Sequence, residues 1–309
     1  MLETGLVCSR FIHFACAIIL FGGAFFGLYS SLSEDRSERL VRPLPPVLLA
    51  AALCALLSGV ALFLFTVGNM SGALAGALDH EALWLVLWDT DFGRIWAARV
   101  VLMLLIAAMI WLRGASILSL RPITLLAVLA AVFVASLAGV GHTQVHEGVP
   151  KIVHVTTDAV HLLGAGAWLG GLLPLGMVVV SSRMKHASND ETVFVLSRFS
   201  SMAYLAVAAL VASGAINGWF LIGSLSALIG TSYGQLLLLK LALVGIMLCL
   251  AASNRFWLVP ALAKSPTASR SDLTLARIHR HILAEQILGG LVVGIISLLG
   301  ILPPAIQGP

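Results

Sequence analysis

His154, Asp158 and His161 fall at i, i+4 and i+7 in the stretch HVTTDAVH, a spacing that sets two imidazoles and a carboxylate on one face of a helix. His142 and His146 lie just upstream in GHTQVHEGV, so residues 141–161 hold four of the chain's nine histidines. Neutral imidazole ligates zinc, copper, iron or nickel, and a nearby carboxylate orients the ring or neutralises charge. Asp158 and Glu147 fit that supporting role. There is no HExxH and no paired CxxC, so the spacing does not favour zinc. Cys8, Cys16, Cys54 and Cys249 stand singly in apolar stretches and read as packing, with no disulfide framework. Ligand type alone gives a histidine-rich transition-metal site to which copper is one well-suited ion.

These residues are set in a chain that is 60% hydrophobic and 10% charged, with a mean hydropathy of +1.03. Such a chain has too few polar side chains to cover a water-soluble surface, which predicts an all-α integral membrane protein. Apolar runs of roughly 20 residues or more, enough to cross about 30 Å of hydrocarbon, occur at about 8–31, 43–68, 93–112, 122–141, 153–181, 195–222, 234–258 and 279–303. Eight transmembrane helices are expected. The first run has no basic segment before it and no cleavage pattern after it, and is read as a retained helix. With the N-terminus outside, 13 lysines and arginines fall on inner loops and flanks against 5 outside, so both termini are expected on the outer side. The formal charge of +4 therefore reports topology and gives no sign of nucleic acid.

On this topology His13, His80, His142, His146, His154 and His161 share the outer side, while His186, His279 and His281 lie among inner basic residues. Gly148 ends the loop that holds His142 and His146, and Pro150 suits the first turn of the fifth helix. An ionisable face inside a membrane helix is costly and marks a functional candidate. In DHEALWLVLWDTD, Trp84 and Trp88 predict a short interfacial helix that would carry His80 as a lid. His281 and Glu285, at the inner end of the last run, are also spaced i, i+4.

Internal matches suggest a repeat. His13 and His161 are each followed, after eight intervening residues, by Gly-Gly, at Gly22-Gly23 and Gly170-Gly171. TDFGRIWAAR at 90–99 matches TSYGQLLLLK at 231–240, and Ser58-Gly59 matches Ser213-Gly214. Corresponding helices run the same way, which predicts a parallel four-plus-four arrangement: residues 1–141 as one half, a His-rich loop at 142–152, and 153–309 as the second half. His13 and His161 would be equivalent, with their imidazoles facing one ion and His154 one to two turns above.

HLLGAGAWLGGLLPL, RFS at 198–200 followed by SGAING, TSYGQLLLLK followed by NRFWLVPAL, and RFIHF at 10–14 together resemble the copper resistance protein D family. The resemblance spans nearly the whole chain. It implies a bacterial inner-membrane protein of copper homeostasis that imports copper ion from the periplasm, with a periplasmic CopC-like copper-binding partner. His13 and His161 lie inside matching motifs; His142, His146 and His154 transfer less directly, and His80 rests on local reading. Methionines and cysteines form no ladder through the bilayer, as a cuprous path would favour. Two other readings stay open: a b-type haem electron-transfer protein with histidine axial ligands, and a copper-binding membrane enzyme or sensor without transport. No nucleophile triad, P-loop or ATPase signature is present, which argues against an energy-coupled pump.

Overall fold

The computed structural model describes residues 1–30, 39–139, 148–265 and 267–307. Among them there are helices and turns and no strand. In chain order the α-helices are α1 Leu2–Tyr29, α2 Leu44–Met70, α3 His80–Asp89, α4 Asp91–Arg113, α5 Leu120–Ser136, α6 Gly148–Ala165, α7 Gly171–Arg183, α8 Asn189–Ile222, α9 Leu225–Gly230, α10 Ser232–Ser253, α11 Val259–Ala263 and α12 Ala268–Leu299. Seven continuous helical stretches are long and apolar enough to cross a membrane; Gly148–Arg183 and Ser232–Ala263 each run through two α-helices joined by a π-helical turn. The fourth expected run is α5, a shorter apolar helix of 17 residues that continues as a 3₁₀ turn over Leu137–Gly139.

The last run differs from expectation at its start. The Thr267 side chain accepts from the Arg270 backbone N–H and starts α12 at Ala268, so the polar segment before His281 is helical as well. His281 and Glu285 thus sit well inside a helix. Likewise, a capping box between Ser188 and Glu191 starts α8 at Asn189, earlier than the apolar pattern alone implies.

Both π-turns, Gly166–Gly170 and Asn254–Leu258, precede a proline, Pro174 and Pro260. Proline lacks an N–H and crowds the carbonyl four residues back, and a widened turn relieves both. The first π-turn also lies in close contact with α1. A Cβ on Gly22 would overlap the Gly166 carbonyl and Gly170 Cα, and a Cβ on Gly170 would overlap the Ile18 carbonyl. Glycine there lets the α1 backbone touch the π-turn directly. Gly170→Ala is therefore expected to cost about 1–3 kcal/mol through overpacking, read as a lower melting temperature in detergent. Gly290→Ala, where a Cβ meets nothing within 4 Å, should leave melting unchanged or raise it.

Candidate metal centre

His154, Asp158 and His161 all lie on α6. His154 is buried and stacks on Phe220, with ring centroids 4.9 Å apart and 14° between planes. One turn on, Asp158 accepts from Asn217 Nδ2 at 3.3 Å. His161 Nδ1 lies 3.0 Å from Ser213 Oγ, and that hydroxyl is itself donated to the Ala209 carbonyl at 2.5 Å. With its proton committed, the serine oxygen accepts, so Nδ1 of His161 carries the hydrogen and Nε2 keeps a lone pair. This is the tautomer a metal needs, held by an outer partner. The ring lies against Gly214, where a Cβ would reach ordinary contact with Cε1 at 3.4 Å. The Lys240 ammonium is near enough for its charge to act on both Asp158 and His161.

His13 repeats the device in α1. Its Nδ1 lies 2.9 Å from the Ala55 carbonyl and 3.3 Å from Ser58 Oγ, whose hydroxyl is donated to the Cys54 carbonyl at 2.6 Å. A carbonyl only accepts, so here too Nδ1 bears the hydrogen. The ring packs edge-on to Phe133 at 5.4 Å. The matched motifs also act alike. Thr90 Oγ1 accepts from the Gly93 N–H and Thr231 Oγ1 from the Gly234 N–H, each at 3.0 Å. A Cβ on Gly93 or Gly234 would overlap a carbonyl of the preceding short helix, Val86 or Leu228.

The charges around the two histidines differ. A cavity of about 270 Å³ beside His13 is lined by Arg10 and Arg99 and, among the described residues, by no carboxylate. Arg99 Nε donates to Ser136 Oγ at 2.9 Å, and its Nη2 donates to the Ser136 carbonyl.

Each histidine is thus anchored to the long helix that follows it, His13 to α2 and His161 to α8. Among the described residues no three His, Cys, Asp or Glu side chains gather in a way that could hold a metal ion. His142, His146 and Glu147 lie outside the described residues. The short helix expected around Trp84 and Trp88 is α3, which starts at His80 with the Asp79 side chain accepting from the Glu81 N–H. Val86 of α3 packs with Phe63 and Val67, while Trp84 and Trp88 are exposed and the His80 ring stacks on Trp84 at 6.3 Å.

Ser58, Ser213 and Asn217 were not foreseen as partners, although the two Ser-Gly pairs stand out in the sequence as repeat matches. Nor was Asn254, which donates to Glu285 Oε1 at 3.1 Å and accepts from His281 Nδ1 at 3.0 Å. Nothing in the i, i+4 spacing of His281 and Glu285 points to it.

Residues 1–152 match the copper resistance protein D-like N-terminal domain, and residues 194–299 match copper resistance protein D. The chain is 30% identical to copper resistance protein D of Pseudomonas syringae pv. tomato over 97% of both chains. It is 34% identical to inner membrane protein YebZ of Escherichia coli (strain K12), over 98% of this chain and all of that one. It is also 30% identical to copper transport protein CutJ of Bacillus subtilis (strain 168), over 81% of this chain and 46% of that protein. No solved structure matches. Similarity along both halves and over full length establishes that this multi-pass membrane protein belongs to the copper resistance protein D family.

Proposed function

We propose that this protein binds copper on the periplasmic side of the bacterial inner membrane, on the α6 face, and passes it toward the cytoplasm. His161 and His154 are the imidazole ligands and Asp158 the neighbouring carboxylate that offsets charge. One observation carries the assignment to these residues: Ser213 fixes the His161 tautomer with Nε2 free, on the same helix face as a buried histidine and a carboxylate. His142 and His146, which precede α6 in the sequence, and His80 on α3 would receive copper from a periplasmic CopC-like partner and hand it inward. Inner-membrane placement and transport draw support from the relatives named an inner membrane protein and a copper transport protein.

This reading takes α5 as the eighth span. Its 17 residues rise about 26 Å at 1.5 Å each, and the 3₁₀ turn adds the remainder of a bilayer core. Eight spans in two parallel halves, with the basic loops inside, keep both termini in the periplasm. The matched histidine–serine bonds and threonine caps favour such a repeat. His13 is then the counterpart of His161 but a poorer copper ligand, because Arg10 and Arg99 line its cavity with no acid among the described residues to balance them.

Ser213→Ala should weaken copper binding about 10-fold or more, the usual cost of losing a partner that orients a ligating imidazole, as measured by competition with a chelator of known affinity. Copper accumulation in cells tests transport. Expression should raise cellular copper, and His154→Ala/His161→Ala should remove the rise. Wild-type protein that binds copper without changing accumulation would instead be a sensor or enzyme.

A further inference from the structure

We propose that the cavity beside His13, between α1, α2 and α4, binds the head group of a membrane quinol: a hydroquinone ring delivered from the bilayer. The inference concerns a ligand distinct from copper and stands apart from the α6 site.

Three features select the ligand. The first is charge. Arg10 and Arg99 both line the cavity, and the described lining residues include no carboxylate. Arg10 makes no hydrogen bond or ion pair among the described residues, and its guanidinium packs over Gly300 at the end of α12. Two cations in a membrane helix bundle repel a metal ion and attract electron-rich oxygen.

The second is the proton on His13. Its Nδ1 is committed to the Ala55 carbonyl and Ser58, so the neutral ring offers Nε2 as an acceptor. The natural partner of that nitrogen is a hydroxyl donor. A hydroquinone gives its O–H to Nε2, and its ring oxygens lie in the positive field of Arg10 and Arg99. A carboxylate supplies acceptors alone and leaves Nε2 without a proton to share.

The third is shape. Phe92 and Trp96 line the cavity, and Trp96 is fixed by its Nε1–H to the Gly59 carbonyl at 2.9 Å and by stacking on Phe63 at 4.2 Å. Aromatic walls suit a flat ring. A volume of about 270 Å³ lies near the lower end of ligand pockets, about 300 Å³, and matches one substituted ring with its tail left in lipid.

The test is calorimetric titration of the purified full chain in detergent with duroquinol, kept reduced, and separately with duroquinone. Saturable duroquinol binding, at least tenfold tighter than duroquinone, is expected, because the oxidised ring has no hydroxyl for Nε2. His13→Gln and Arg10→Gln should each weaken duroquinol at least tenfold, whereas His161→Ala should not. Size-exclusion and melting profiles establish that each variant is folded, and the reduced-versus-oxidised comparison on wild type needs no variant. No saturable duroquinol binding, equal binding of both ring forms, or affinity unchanged in both folded variants would overturn the assignment. So would laurate binding that depends on Arg10 in a protein that does not bind duroquinol, which would make the cavity an anion site.

Discussion

His161→Ala should remove high-affinity copper binding, with a loss larger than the about 10–100-fold typical of deleting an outer partner. The change deletes the α6 imidazole whose tautomer is fixed for ligation by a serine with its own proton spent. His154→Ala should cost at least as much as Ser213→Ala, since the ring is buried against Phe220 and cannot be replaced by a loop residue without repacking. His186→Ala, on the opposite side by the charge pattern, should have no effect. His13→Ala separates two arrangements. If copper sits on α6, affinity is retained. A loss equal to that of His161→Ala would instead support one ion shared by the two repeat-related imidazoles. Competition titration on the purified variants reads all four.

Copper affinity should also fall steeply in acid. A ligating imidazole must be neutral, so affinity should be flat wherever the free protein already holds the rings unprotonated. At lower pH each ligand histidine must release a proton on binding, which costs about tenfold in affinity per pH unit for one histidine and about 100-fold for two. A slope near two in log affinity against pH, reduced to one in His154→Ala, would identify both rings as ligands. An acid slope left unchanged by both His154→Ala and His161→Ala would remove them and point to other ligands.

Much of this was legible in the sequence because the bilayer imposes its own length on apolar runs. The α6 face could be read because 3.6-residue periodicity fixes which side chains share a side. Helix starts at Ala268 and Asn189 were not legible from hydropathy, since they are set by polar caps at Thr267 and Ser188. The π-turns escaped as well, although Pro174 and Pro260 each marked one nearby. Least legible were cross-helix partners. Asn254, Asn217 and Arg10 acquire their surroundings only when helices far apart in the chain are packed together. The serine partners of His13 and His161 are an intermediate case: their register was visible, their hydrogen bonds were not.

Copper K-edge X-ray absorption on the copper-loaded, purified protein, beside the His154→Ala/His161→Ala variant, tests the α6 assignment most directly. Wild type should hold copper with the multiple-scattering pattern of at least two imidazoles, and the variant should lose that pattern together with the metal. Copper surrounded by sulfur, imidazole scattering that persists in the variant, or a protein that binds no copper and shows a haem Soret band would contradict it.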